Sequence, residues 1–275
     1  MDRVGKEFSK YHIIGTIWVG QSCVVYRARD AYSRIVALKM LLPTEKGRRH
    51  VSELLREARI AMRLDHPRIV RATGYITDGP MPAMVMEYFE SEHLKSRIRR
   101  SDPLIREKAQ EILVQACEGL AYLHSQGLVH RDVKPENVLV APDAAVKLID
   151  FALAERIKSG LLSFFRRRRI AGTRAYIAPE TILRKQPDAR TDIYSLGALA
   201  FEMLAGHPPF ASSDENEILR KHLYEPIPRL RTADRTVSVR MDELVREMLS
   251  KAPEGRPASM EEVIRRLQEI RVFDK

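Results

Sequence analysis

Across residues 11–42 the apolar positions come in short β-rich runs, YHIIGTI, CVVYRA and IVALKML, separated by polar and turn-forming residues. Runs of that length and composition predict an antiparallel meander. The period then changes: over residues 50–64 the apolar positions Val51, Leu54, Leu55, Ala58, Ala61 and Met62 recur at helical spacing and predict an amphipathic helix with one buried face. Two more strand-like runs follow, over residues 69–76 and 83–88. Beyond Phe89 helical spacing dominates, through Ile112, Leu113, Ala116, Leu120 and Leu123, then Ile193, Leu196, Ala200, Met203 and Leu204, and finally Val263, Leu267 and Ile270. The expectation is an α+β, two-lobed chain read as a single domain over 1–275, with a small antiparallel β lobe at about 11–88 and a larger, mainly helical lobe at 89–272. The least regular stretch, residues 153–173, lies inside the second lobe, where a long loop usually carries function.

Composition narrows the class. A hydrophobic share of 44% with 13 Gly and 15 Pro in 275 residues fits a folded globular protein and excludes disorder or a fibrous repeat. No window approaches the roughly 18 apolar residues of a membrane span, and the opening MDRVGKEFSKYH lacks the apolar core of a signal peptide, so a cytoplasmic location is expected. Cys23 and Cys117 show no metal-ligand spacing, and reduced thiols are the expectation. The net charge of +10 suits nucleic acid, membranes or anionic substrates. Its basic residues are dispersed apart from the run at 166–169, with no interleaved aromatic ladder, which argues against nucleic acid.

The densest chemistry is the octet HRDVKPEN at residues 130–137, followed by the short apolar run VLV. Phosphoryl transfer needs a carboxylate to accept a hydroxyl proton, a cation near the migrating charge and oxygen ligands for Mg²⁺. Asp132, Lys134 and Asn137 supply these three within one loop. A lone Asp-x-x-x-x-Asn would be read as a capped turn, but the whole octet matches the catalytic-loop signature.

With this octet, the chain resembles the eukaryotic-type serine/threonine protein kinase family from about Tyr11 to its last helix, and its compact loops are similar to those of bacterial members. The resemblance implies transfer of the γ-phosphoryl of ATP, assisted by Mg²⁺, to Ser or Thr hydroxyls of proteins. Asp132 and Lys134 would be catalytic. Lys39 in IVALKML would address the α- and β-phosphates and pair with Glu57, for which Glu53 is the rival. Asp150 in IDFALAE would bind the metal with Asn137. VMEYF resembles the segment joining the lobes, with the backbone of Glu87 and Phe89 bonding the adenine and Val25, Ala37 and Leu139 flanking it. Thr173 in GTRAYIAPE would contact the peptide substrate, Asp192 would brace the catalytic loop, and Arg256 would pair with Glu180.

The chain departs from the family pattern in two places. Ala152 stands where a glycine usually follows Phe151, and WVGQSCVV retains only Gly20 of the glycine loop, with Ile17 before it and Trp18 and Cys23 in place of glycines. If the loop keeps glycine geometry, each replacement in a sparsely allowed region costs roughly 1–3 kcal/mol. The alternative this raises is a pseudokinase, a nucleotide-binding or interaction module without catalysis. A small-molecule kinase would not be expected to carry GTRAYIAPE. Arg131 before Asp132 accompanies control by loop phosphorylation in the family; Ser159, Ser163 and Thr173 are the available acceptors, Thr173 being read as a substrate contact, and loop ordering is expected to rely on Ser163 or on no phosphorylation at all. The arginines at 166–169 suggest either a solvated loop or docking of acidic or already phosphorylated substrates.

Overall fold

The computed structural model describes residues 3–20, 22–42, 47–77, 82–157 and 172–274, with the backbone alone at 47–49. The run at 166–169 and the candidate acceptors Ser159 and Ser163 lie outside the described residues. The chain separates into two compact units, Met1–Glu90 and Ser91–Lys275.

The N-terminal unit contains β1 (Glu7–Phe8), β2 (Tyr11–Val19), β3 (Cys23–Arg29), β4 (Ile35–Leu41), α1 (Gly47–Ala61), β5 (Ala72–Ile76) and β6 (Ala83–Glu87). Its strands form an antiparallel sheet in the order β1-β2-β3-β4-β6-β5. Alternation along the strands sorts the side chains. Val24, Tyr26 and Ala28 of β3 and Leu38 and Met40 of β4 close a core with Ile13 and Val85, which leaves Val25, Ala37 and Lys39 on the opposite face. Strand β1, not anticipated from the sequence, is two residues long and too short to show a period; Ser9 in the left-handed region (φ 54°) turns the chain so that Phe8 pairs with Tyr11.

Helix α1 buries Leu54, Glu57, Ala58 and Ala61, a stripe at helical spacing. Met62, expected on that face, is 45% exposed: its N–H still bonds the Ala58 carbonyl, but it falls at the edge of the stripe formed by residues 54, 57, 58 and 61.

The C-terminal unit runs β7 (Glu92–His93), α2 (Leu94–Arg99), α3 (Pro103–Glu107), α4 (Ala109–Ser125), β8 (Leu128–Val129), β9 (Val138–Val140), β10 (Val146–Leu148), β11 (Glu155–Arg156), α5 (Pro179–Ile182), α6 (Ala189–Ala205), α7 (Glu215–Tyr224), α8 (Leu230–Ala233), α9 (Val239–Met248) and α10 (Met260–Glu269). Helix α6 is buried along nearly its whole length. It starts at a capping box between Asp188 and Thr191 and stops at Gly206, whose φ of 81° favours a residue without a Cβ. Helix α4 packs on α10, β10 and α6. Small antiparallel sheets, β10-β9-β7 and β11-β8, fix the loops on either side of residues 130–137. Among the described residues no helix is long and apolar enough to cross a membrane.

Candidate active site

In the N-terminal unit, β4 carries Lys39 on the face away from the core and α1 presents Glu57 to it. The ammonium Nζ donates to both carboxylate oxygens, at 2.7 and 2.8 Å. Glu57 is 3% exposed, whereas Glu53 one turn earlier is exposed, and the bonds of Lys39 go to Glu57. Val25 lies directly across from Lys39, and Ala37 across from Met86. Pairing across an antiparallel ladder puts partners on one face, so Val25, Ala37 and Lys39 form a common surface. Trp18, opposite Val25, joins it. Ile17 falls at a register shift of β2 and is 43% exposed. Glu87 ends β6 and donates its N–H to the Arg71 carbonyl at 2.9 Å; Phe89 follows, half-buried.

The glycine loop is not strained in the way its sequence suggests. Neither Trp18 nor Cys23 has a positive φ, nor does Gly20. The Gly20 N–H donates to the Cys23 carbonyl at 2.8 Å, closing a tight turn. At position 20 the approach is close: a Cβ there would run into the six-membered ring of the partly exposed Trp18 indole, which would have to shift. Ala152 likewise has no positive φ, so the missing glycine after Phe151 creates no backbone conflict in this conformation.

In the C-terminal unit the octet leaves β8, turns through a single 3₁₀ turn at Pro135–Asn137 and enters β9. Asp132 is surrounded by donors. Its Oδ2 lies 2.7 Å from Lys134 Nζ and accepts from Asn137 Nδ2 at 3.1 Å. Its Oδ1 accepts from the Thr173 N–H at 3.0 Å and the Thr173 hydroxyl at 3.2 Å. Lys134 Nζ also donates to that hydroxyl, at 2.8 Å. The predicted residues Asp132, Lys134, Asn137 and Thr173 therefore meet in one cluster. Leu139, in β9, faces away from the buried Val138 and Val140 and is half-buried.

Asp192, wholly buried in the first turn of α6, holds the loop from beneath. It accepts from the His130 N–H at 2.8 Å, the Arg131 N–H at 2.9 Å and His124 Nε2 at 2.8 Å. Burial alone would raise its carboxyl; the His124 hydrogen bond, the neighbouring histidines and the Arg131 N–H outweigh this and hold it below the ordinary 3.8. These bonds secure Arg131 in the left-handed region, φ 69°, a conformation few non-glycine residues adopt.

Asp150 is also left-handed, φ 68°, with its Oδ1 accepting from the Ala152 N–H at 3.3 Å. The preceding residue, Ile149, donates to the Asn137 carbonyl at 3.0 Å, so Asp150 and Asn137 lie on adjoining segments. Asn137 uses its amide nitrogen on Asp132, which turns its amide oxygen the other way. Among the described residues no three His, Cys, Asp or Glu side chains are grouped to hold a metal by themselves. One carboxylate and one amide oxygen, completed by phosphate oxygens and water, is the kind of site Mg²⁺ takes.

Two clusters lay beyond sequence reasoning. Lys95, Tyr176 and Glu202 form a largely buried triad, with Lys95 Nζ donating to the Tyr176 hydroxyl at 3.2 Å and both groups bonding Glu202. Arg131 Nη1 donates to Glu155 Oε2 at 2.6 Å. Neither has a sequence signal, because the partners are far apart in the chain and carry no fixed spacing.

A model of the protein kinase domain matches residues 11–267. The serine/threonine-protein kinase PknB of Mycobacterium leprae is 34% identical over 254 residues, covering 90% of this chain and 40% of the relative. PknB of Mycobacterium tuberculosis matches to the same extent. The serine/threonine-protein kinase PknL of that organism is 34% identical over 252 residues, covering 91% of this chain and 63% of the relative. The chain thus spans between about two fifths and just under two thirds of the length of these relatives. With a match running through both units, the α+β two-lobed fold is that of a kinase domain, and the chain belongs to the protein kinase family.

Proposed function

We propose that residues 1–275 act as one serine/threonine kinase domain that transfers the γ-phosphoryl of ATP to hydroxyls of protein substrates in the cytoplasm. One observation carries this reading: the Thr173 hydroxyl sits 3.2 Å from Asp132 Oδ1 and 2.8 Å from Lys134 Nζ. An aliphatic hydroxyl is therefore already accommodated between a carboxylate and an ammonium. Asp132 would orient an incoming Ser or Thr hydroxyl and take its proton, while Lys134 would steady the charge on the migrating phosphoryl group. Asn137 and Asp150 would hold Mg²⁺, which when bound neutralises phosphate charge. Lys39, held by Glu57, would position the α- and β-phosphates.

For the base, Val25, Ala37, Ile17 and Leu139 offer apolar contacts. Because the Glu87 N–H is committed to Arg71, Glu87 would contact adenine through its carbonyl and Phe89 through its backbone. Gly20 would approach the phosphates. The relatives named as serine/threonine kinases support the same reading. Arginines 166–169 would favour acidic or already phosphorylated substrates, so their replacement by Ala should slow acidic substrates selectively. The alternative of a non-catalytic module gains nothing from the fold, since Trp18 and Cys23 impose no positive φ.

The test is Mg²⁺-dependent labelling of a generic basic protein from γ-labelled ATP, followed by hydrolysis and phosphoamino-acid separation. Phosphoserine and phosphothreonine are expected. Phosphotyrosine alone, or no label, would overturn the reading.

A further inference from the structure

Residue Arg131 is the point at which two chain segments meet the catalytic loop. Its guanidinium is paired with Glu155 at 2.6 Å, with the two side chains 12% and 25% exposed. Glu155 is not placed by chance: β11 pairs with β8, setting Glu155 opposite Val129 and Arg156 opposite Leu128, immediately before residues 130–132. Gly172 approaches the other side of Arg131, where a Cβ would lie 3.0 Å from its backbone carbonyl. Gly172, at φ 112°, leads directly into Thr173, whose N–H bonds Asp132. The segments on both sides of 158–171 thus meet the catalytic loop, one through the Glu155 bond to Arg131 and the other through the Thr173 bonds to Asp132.

A largely buried guanidinium on the residue before Asp132 needs a compensating anion. Here that anion belongs to the chain, supplied from five residues beyond Asp150. We propose that Glu155 is a positioning residue that neutralises Arg131 and locks the catalytic loop, making alignment of Asp132 independent of any phosphate added to the chain. Glu155 touches no reacting atom; it acts through Arg131 and ties the Asp150 segment to the Asp132 loop. This rests on the kinase reading given above.

The experiment compares wild type, Glu155→Gln and Glu155→Asp, each stripped by a broad-specificity phosphatase and checked by intact mass. Initial rates are taken before self-labelling accumulates, with kcat and the KM for ATP measured separately. Stripped wild type should stay within about twofold of the untreated enzyme. Misplacing a catalytic group by about an ångström costs on the order of a hundredfold, so Glu155→Gln should lower kcat by about ten- to a hundredfold with little change in KM. Glu155→Asp, which keeps the charge, should recover part of the loss. Glu155→Gln with wild-type kcat would overturn the proposal. So would loss of activity in the stripped wild type, an arm that needs no variant and therefore stands even if one fails to fold. An inactive wild type, stripped or not, would instead sink the kinase reading itself.

Discussion

At the scale of single residues, the site depends on charges that are individually ordinary and collectively constrained. Lys39 on an apolar strand requires a partner, and Glu57 supplies both oxygens. Glu57→Gln should therefore leave the fold intact and lower kcat/KM for ATP at least about tenfold, equivalent to about 1.4 kcal/mol; steady-state kinetics at varied ATP checks this. The glycine loop has a different logic from the one its sequence suggests. Gly20 makes room for Trp18, so Gly20→Ala should displace the indole and weaken ATP binding. Since Trp18 is the chain's single tryptophan, its emission maximum reports the displacement directly, and an unchanged spectrum with unchanged ATP affinity would refute it. The motif residues were legible in the sequence because their spacing is local. The contacts of Trp18 with Gly20 and of Glu155 with Arg131 were not, since they depend on side-chain direction and strand register.

Among elements, α6 is the member on which the C-terminal unit's polar network converges. Its first turn carries Thr191 and Asp192; Thr191 donates to Glu180 at 2.9 Å, and Arg256 grips Glu180 with two bonds of 2.8 Å. Arg256 and Glu180 are almost wholly buried. Removing one partner of such a pair leaves an uncompensated buried charge, which costs about 3–5 kcal/mol. Arg256→Leu, which strands the Glu180 carboxylate, should lower the unfolding free energy by that order in urea denaturation, and Glu180→Gln, which strands the Arg256 guanidinium, should also destabilise the fold although the amide oxygen still accepts one hydrogen bond. Burial would raise the Glu180 carboxyl, yet Arg256 and Thr191 hold it below its ordinary 4.5. A depressed carboxyl stabilises the fold above its unfolded value, and that contribution is lost as the pH falls through the folded one. The pairing was readable from the family pattern; its dependence on Thr191 was not, because the capping box that orients α6 is a structural fact.

For the molecule as a whole, the change of apolar period near Phe89 was the most informative feature of the sequence, because period 2 and period 3.6 dictate different secondary structures. Two-residue strands such as β1, β7 and β11 carry no period and could not be seen. The acid response adds a group that no motif suggested. His222, fully buried against Tyr194 and Phe210, is pushed down to about 3 by its burial and the nearby Lys251 charge. It stays neutral when folded but gains a proton when unfolded below 6.5. Its contribution is therefore complete above 6.5 and lost as the pH falls toward 3, at about 1.4 kcal/mol per pH unit. Urea unfolding should show a loss of about 2 kcal/mol between pH 6.5 and 5, abolished in His222→Phe after allowance for that variant's own baseline.

The proposed chemistry centres on Asp132, and the most direct measurement is the initial rate of phosphoryl transfer at saturating ATP and Mg²⁺ for wild type and Asp132→Asn. General-base removal predicts a fall in kcat of about a hundred- to ten-thousandfold, with ATP still raising the melting temperature of both proteins. Equal rates in the two would contradict the assignment of this loop as the seat of catalysis.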